Sequence, residues 1–377
     1  MTGTGRRAGL LLLHRALRNA GDSLIFERAR RLITDVLPGT PLDVAEAWHR
    51  LDEQMPPGEL RRYRAVVVCG GPGYVRGIHD LYPIGALEEL PPLVLLALGS
   101  RVNPGTRRQL TSFRFDADDR RFLDEILSRS NSLGARDPLT AELLRANGYQ
   151  RVTMTGDPAW YALDRIDQPA RTPSAFAAIA FTPPANPAYY HQATLLFKAL
   201  AAAEPRARGH VVFHRGVQPP FAEMAERLGW KPVDITGSAG GFRIYDEMDL
   251  HVGYRLHAHL YCTSVGTTSY VVAEDSRGIG MLQAFPGLGV PAFPSERGLP
   301  WLSLGMRAMP KLAATLPSAV SRAASPLGRL LGLPNVEGPL IATIEADRTN
   351  HFPAHSHARD VIRATLPVMR ETIAAIP

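Results

Sequence analysis

The residues best suited to chemistry are Arg255 and His257, which follow Gly253 by two and four positions. The spacing of apolar residues changes at Gly253. Before Gly253 apolar and polar residues alternate as in a strand, and after it apolar residues recur at helical spacing. We therefore expect Arg255 and His257 near the first turn of a helix. Backbone N–H groups and the helix dipole add to their charge there, which predicts a site for phosphate or carboxylate.

Two simpler interpretations of this run stand beside that one. Arg255 and His257 could form a surface ion pair and a hydrogen-bonded histidine, or the nearby histidines could hold a metal. His257 and His259 are two residues apart, so they point to different faces of a helix, and no Cys or carboxylate lies at ligand spacing. We expect no metal site.

Other polar residues follow predicted strands at the edge where ligands bind parallel sheets. Asn19, Gly21 and Asp22 come after the first apolar run, where Gly21 would let a ligand approach the backbone and Asp22 could instead simply cap a helix. His214 follows a later strand and could line the same cleft or belong to an exposed loop.

A glycine cluster and an arginine occupy two further strand ends. Gly70, Gly71 and Gly73 follow a buried apolar strand, without the acidic residue that would complete a dinucleotide-binding fingerprint. Arg136 ends a short strand just before Asp137, which we predict to cap the next helix. Arg136 is therefore a second candidate cation at a strand-to-helix turn.

The composition indicates a large protein with anionic ligands rather than nucleic acid. The 377 residues include 42 Lys and Arg against 36 Asp and Glu, a net charge of +6 that is mild and dispersed. Cys69 and Cys262 are the only cysteines, which favours a reducing compartment, and we expect the cytoplasm. The apolar run at 8–13 is too short for a signal or membrane segment.

The pattern of elements predicts an α/β protein with two doubly wound domains that face a cleft. We place the first domain at 1–163, a proline-containing linker at 164–174 and the second domain at 175–377. Within the second domain, 291–339 is rich in Pro, Gly and Ser with interleaved basic and apolar residues. That segment could contact a membrane or be a packed insertion, and a final helix could pack back on the first domain.

The run from Gly253 to Ala258 resembles the Gly-x-Arg-Leu-His-Ala motif of the polysaccharide pyruvyl transferases. Other pieces of the chain resemble the family in the same order, over about residues 8 to 290. They are Asn19-x-Gly21-Asp22, Cys69-Gly-Gly-Pro-Gly73, Ala135-Arg136-Asp137 and Gly156-Asp157-Pro158-Ala159. The resemblance implies two Rossmann-like domains arranged as in B-type glycosyltransferases.

The resemblance also implies a reaction, in which phosphoenolpyruvate gives a pyruvate ketal to a sugar of a polysaccharide or glycolipid, without cofactor or metal. It assigns catalysis to His257, Arg136 and Arg277. Substrate binding falls to Arg255, Asn19, Gly21, Asp22, Gly70, Gly71 and Gly73, and we add His214 from its place at a strand end. Arg277 stands where the family more often has Lys, and Pro72 interrupts the glycine cluster.

Two other functions fit the same architecture. A nucleotide-sugar glycosyltransferase would need an acidic residue to hold a ribose, and Glu274 or Asp275 could serve. A non-catalytic sugar-binding homologue is the other, although the presence of Arg136, His257 and Arg277 together argues against it.

Overall fold

A computed structural model describes residues 9–14, 19–47, 49–82, 90–103, 105–294 and 333–377. The first half, up to residue 160, contains parallel strands in the orders β2-β1-β3-β5 and β4-β6-β7-β8. The strands are Leu10–His14 (β1), Leu42–Glu46 (β2), Ala65–Val68 (β3), Gly71–Tyr74 (β4), Leu93–Leu95 (β5), Leu98–Ser100 (β6), Leu133–Ala135 (β7) and Val152–Met154 (β8). The apolar run 93–98 predicts a single strand, but the structure has two strands there, β5 and β6.

Helices connect these strands. The predicted cap Asp137 is present, whereas Asn19, and not Asp22, caps the first helix. Asp116 accepts a hydrogen bond from the N–H of Asp119 at 2.9 Å, and Asp137 accepts one from Thr140 at 2.8 Å. The helices are Ala20–Val36 (α1), Leu51–Gln54 (α2), Pro57–Leu60 (α3), Ile78–Leu81 (α4), Arg107–Thr111 (α5), Ala117–Arg129 (α6) and Pro138–Ala146 (α7), followed by a 3₁₀ turn at Pro158–Trp160.

The second half, 178–294, is a parallel sheet in the order β11-β10-β9-β12-β13-β14. Its strands are Ala178–Thr182 (β9), Arg208–Phe213 (β10), Lys231–Asp234 (β11), Leu250–Gly253 (β12), Thr268–Ala273 (β13) and Gly289–Pro291 (β14). Its helices are Tyr190–Ala203 (α8), Pro219–Arg227 (α9), Leu256–Val265 (α10) and Ser276–Ala284 (α11), with 3₁₀ turns at Pro187–Tyr189 and Gly240–Glu247. The α/β class with parallel Rossmann-like sheets is confirmed.

The described residues after 332 form two helices, Glu337–Thr349 (α12) and Pro353–Ala374 (α13). The predicted irregular region is therefore too wide, because 291 ends β14 and 339 lies inside α12. Residues 295–332, most of the predicted insertion, lie outside the described residues. The sequence predicts that the last helix begins at 361, but it begins earlier, at Pro353. Proline is tolerated there because the first turn of a helix needs no N–H donor at that position.

The last helix, α13, ties several parts of the molecule together. Arg370 contacts Asp35 of α1 at 2.9 Å. The buried guanidinium of Arg359 donates to the carbonyls of Gln168 at 2.7 Å and of Ser264 near the end of α10. Among the described helices, none is long and apolar enough to cross a membrane.

Candidate functional site

The predicted strand-to-helix turn is present, and Gly253 makes it possible. The backbone of Gly253 has φ 155°, and a side-chain carbon there would lie 2.3 Å from the carbonyl oxygen of Thr182 in the neighbouring strand. The chain can turn sharply at this point only because the residue is glycine. Arg255 then precedes the first residue of α10, and its N–H donates to the Thr182 hydroxyl at 3.2 Å.

A second helix, α1, begins at the same place as α10. Asn19 caps α1 by accepting the Gly21 N–H at 3.3 Å, and its amide donates to Asp22 at 3.1 Å. A side-chain carbon on Gly21 would lie 2.2 Å from Nδ1 of His257. We call this close contact the α1–α10 junction. It brings the positive ends of two helix dipoles together around one histidine.

His257 is buried at this junction, and its Nε2 has no hydrogen-bond partner among the described residues. Burial holds the pKa of His257 well below its usual range, and the positive charges of Arg136, Arg277 and Arg255 lower this pKa further. The imidazole is therefore neutral at physiological pH. A neutral ring with an unpaired nitrogen can accept a proton or a hydrogen bond.

The junction opens into a cavity of about 60 Å³ between the halves. Its walls include Asn19 from the first half and, from the second half, His214, Arg255, His257, Glu274 and Arg277. Most of the polar groups predicted at separate strand ends are thus brought together. The cavity is the cleft expected of the fold, at the carboxyl ends of parallel strands.

Arg277 faces this cavity in a fork-like pair with Asp275. Its Nε lies 2.9 and 3.0 Å from the two carboxylate oxygens, and its Nη2 lies 2.7 Å from one of them. Burial disfavours both charges, but the pair outweighs burial, so the pKa of Arg277 is raised and that of Asp275 is lowered. Asp275 also caps α11, which fixes the guanidinium at the cavity wall.

Arg255 and Glu274 face each other less closely. Burial lowers the pKa of Arg255, while the charge of Glu274 opposes that change, and Nε of Arg255 has no partner among the described residues. Burial raises the pKa of Glu274 to about 7 against the attraction of Arg255. Glu274 was considered only as a ribose ligand from the sequence, although its place directly after β13 was a signal that it borders the cleft.

His214 lies at the cavity through its ring and its backbone. Its Nε2 is 2.7 Å from the Tyr245 hydroxyl, and its carbonyl accepts the Ala20 N–H at 3.1 Å. Burial holds the pKa of His214 well below its usual range, with Arg255 contributing. The alternative of an exposed loop pair is excluded for His214, which is 2% exposed.

Arg136 does not line this cavity. It is fully buried in the first half, with Nε 3.4 Å from Asp137 and Nη1 3.4 Å from Asp157, and its Nη2 has no partner among the described residues. A side-chain carbon on Gly99 would lie 2.0 Å from its Nε, so this glycine makes the space for the guanidinium. Arg136 therefore acts on His257 through its charge in this arrangement.

A second contact between the halves lies beside Arg136. A side-chain carbon on Gly280 of α11 would lie 2.3 Å from the Asp137 carboxylate, which caps α7. Ser276 also donates its N–H to the Val102 carbonyl at 3.1 Å and accepts the Val102 N–H on its hydroxyl at 2.7 Å. We call this the α7–α11 junction. It is a packed and hydrogen-bonded contact.

The glycine cluster serves packing in this structure rather than the cavity. Side-chain carbons would lie 2.9 Å from Ile25 at Gly70 and 2.0 Å from Leu98 at Gly73. Gly71 has φ 96° and begins β4. The assignment of Gly70, Gly71 and Gly73 to substrate binding finds no support in the cavity lining, because close packing of β4 against its neighbours already accounts for their small size.

The other histidines near the turn hold one another in place. Nδ1 of His251 and Nδ1 of His259 lie 2.8 and 2.9 Å from the hydroxyl of Ser269, and Nε2 of His251 lies 2.9 Å from the Thr182 hydroxyl. Burial lowers the pKa of His251 to about 3. These rings are neutral supports beneath the cavity.

Several solved structures resemble the chain at low identity and with TM-scores below 0.5. One is a putative UDP-N-acetylglucosamine 2-epimerase from Listeria monocytogenes (11% identity, 92% of this chain and 97% of that one, TM-score 0.46). Others are the wall teichoic acid polymerase TagF (11%, 95% and 88%, 0.42) and Anabaena Alr3699/HepE in complex with UDP and glucose (11%, 90% and 100%, 0.43). Such similarity carries no information about the reaction.

The comparison with protein families is more specific. No functionally curated protein matches the sequence. The model of the family "Polysaccharide pyruvyl transferase" matches residues 19–276, which is more than half of the chain. This match runs from the cap of α1 to the start of α11, and so includes the α1–α10 junction and all the cavity residues named above except Arg277. The chain therefore belongs to the polysaccharide pyruvyl transferase family.

Proposed function

We propose that the protein transfers a pyruvyl group from phosphoenolpyruvate to two hydroxyls of a sugar, forming a ketal and releasing phosphate. The observation that carries this proposal is the position of His257. A neutral histidine with an unpaired nitrogen lines one cavity with Arg255 and Arg277, where two helices begin. Anion binding and proton transfer are thus available at one place.

The cationic groups suit the charge of the donor. A phosphate monoester carries about −1.5 to −2 charges at neutral pH, and phosphoenolpyruvate adds a carboxylate. Arg255 has an unpaired Nε, and Arg277 stays charged through its pair with Asp275. We assign one anionic group of the donor to each arginine, together with the N–H groups that begin α1 and α10. No metal or cofactor enters this proposal.

His257 would move protons during the reaction. Its charged form is disfavoured in the free protein, so the ring starts neutral, and a bound phosphate makes it a better proton acceptor because opposite charge raises the pKa of a histidine. A sugar hydroxyl can then give its proton to His257 as its oxygen attacks the donor.

The acceptor is a sugar of a polysaccharide, a glycolipid or a precursor of either, and we place the enzyme in the cytoplasm. Cys69 and Cys262 are both free and buried, as suits a reducing compartment. We keep the proposal that 291–339 touches an anionic membrane. Flotation with anionic vesicles would test it, and equal flotation after deletion of 295–332 from a folded protein would exclude it.

Thermal unfolding tests the donor. Millimolar phosphoenolpyruvate should raise Tm, since only a ligand of the native state shifts unfolding, and nucleotide sugars should not. Arg277→Gln should abolish the shift, whereas Arg243→Gln, on the exposed surface of the same half, should keep it. A shift with nucleotide sugars alone would favour the glycosyltransferase, with Glu274 as the ribose ligand.

A further inference from the structure

Among the described residues, the cavity wall carries two carboxyl groups, Asp275, which holds Arg277, and Glu274, to which the proposed donor binding gives no task. It follows β13 directly and lines the same cavity as His257 and Arg277. One of its oxygens accepts the N–H of Ala185 at 2.8 Å, which fixes the carboxyl group at the wall. From the sequence, Glu274 fits only the ribose site of the alternative glycosyltransferase function.

Charged and titratable groups surround Glu274 from several elements. Arg255 at the start of α10 and Arg277 in α11 favour its ionised form, while Asp275 opposes it. Tyr189, Tyr190 and Tyr254 are also close enough for their ionisation to depend on Glu274. Burial outweighs the arginines, and the pKa of Glu274 is raised to about 7. Protonated and ionised forms are therefore both present near neutral pH.

The proposed reaction needs a proton donor that His257 cannot supply at the outset. Ketal formation turns the methylene carbon of phosphoenolpyruvate into a methyl group, so this carbon must gain a proton. His257 is neutral in the free protein and can only accept one. A group that is protonated near neutral pH is required at the same cavity.

We propose that Glu274 gives its proton to the methylene carbon while His257 takes the proton of the attacking hydroxyl. This inference rests on the proposed function. The first sugar oxygen then bonds to the central carbon of the donor. A second hydroxyl bonds to the same carbon as the carbon–oxygen bond to phosphate breaks.

The protons balance over the two steps. His257 passes the first hydroxyl proton to the departing phosphate, and the second hydroxyl returns a proton to the Glu274 carboxylate. One hydroxyl proton thus ends on phosphate, and the other replaces the proton that went to the methyl group. Both side chains return to their starting forms, and no oxidant or reductant is needed.

The test compares Glu274→Gln and Glu274→Ala in a pyruvyl transfer assay. Gln keeps an oxygen for the Ala185 N–H but cannot titrate. We expect Glu274→Gln to lower kcat by roughly 10²- to 10⁴-fold, the usual contribution of a general acid, with phosphoenolpyruvate binding kept or strengthened. Glu247→Gln, an exposed carboxylate of the same half, should behave as wild type.

The pH profile separates proton donation from a supporting role. In wild type, kcat/KM should fall as pH rises through about 7, because Glu274 loses its proton there. In Glu274→Gln this alkaline fall should disappear. Near-normal kcat in Glu274→Gln with loss in Glu274→Ala would overturn the inference, because only the bond to Ala185 would then matter. The inference would also be overturned if Glu274→Gln had low activity and its kcat/KM still fell as pH rises through about 7.

The outcome also separates this inference from the proposed function. If wild type forms the ketal and Glu274→Gln forms it at a near-normal rate, the inference fails and the proposed function stands. Wild type that is not stabilised by phosphoenolpyruvate and forms no ketal defeats the proposed function, and the role of Glu274 with it.

Discussion

The two halves of the molecule meet in two places that use glycine alike and differ in what they leave unpaired. At the α1–α10 junction, Gly21 lets His257 approach a helix start, and the ring keeps one nitrogen without a partner. At the α7–α11 junction, Gly280 lets a helix approach Asp137, whose oxygens are already engaged by Thr140 and Arg136. A buried unpaired nitrogen costs stability, and each junction has one: Nε2 of His257 at the first and Nη2 of Arg136 beside the second. Only His257 lines the cavity, so only at the α1–α10 junction is the unpaired group placed to meet a ligand.

We expect the largest effect from substitution of His257, which removes the proposed proton acceptor from the α1–α10 junction. His257→Gln should lower kcat by roughly 10²- to 10⁴-fold, because a general acid or base contributes about that much, with modest loss of phosphoenolpyruvate affinity. Steady-state kinetics and a binding isotherm would measure both. His210→Gln, at a buried histidine of β10 that does not line the cavity, is the control. Near-normal turnover in His257→Gln would leave His257 a binding residue only.

Substitution of Arg136 tests the α7–α11 junction, and we expect it to lower the stability of the protein. Arg136→Met leaves Asp137 and Asp157 without their buried counter-charge, and breaking such a pair costs about 3–5 kcal/mol. Urea unfolding would measure this loss, with Arg243→Met at the exposed surface as the control. The family resemblance instead assigns Arg136 to catalysis. Unchanged stability with a higher requirement for phosphoenolpyruvate would favour that assignment and weaken the contrast between the junctions.

Alanine at the two glycines should give the smallest and most direct contrast. Gly280→Ala overpacks α11 against Asp137 and should lower the free energy of unfolding by about 1–3 kcal/mol, with kcat per folded molecule nearly unchanged. Gly21→Ala should displace the His257 ring and lower kcat/KM by up to about 10²-fold, since small misplacements of reacting groups have that effect. Equal effects of the two substitutions on kcat/KM would show that the junctions do not differ in role.

The elements that were predicted well are those fixed by nearby residues. The strand Thr268–Ala273 has the bounds that its apolar run predicts, and Asp137 caps its helix as expected. Such features depend on residues within one or two turns. The start of α10 belongs to the same class, because Gly253 marks the turn within the motif itself.

The features that were missed depend on residues far apart in the chain. Arg136 is buried because Asp157, 21 positions later, reaches it from another strand end, and this pairing has no local signal. Gly73 has the spacing of a ligand loop, yet Leu98 of a neighbouring strand explains it. Glu274 has the sequence signature of any polar residue after a strand, and only its distant neighbours, such as Ala185, make it a half-buried group of the cavity wall. Helix α12 was missed because Gly338 and Pro339 suggest a loop.

Arg359 has a consequence for the site that no cavity residue reveals. It binds carbonyls near the end of α10, while His257 lies at the start of that helix, about 10 Å away along the axis at the usual rise per residue. Its other bonds reach Arg165 and Gln168, between the two halves. A helix moves as a rigid rod, so a shift of α13 against these carbonyls would displace the imidazole along the rod axis. The end of the chain therefore helps to set the position of the reacting nitrogen.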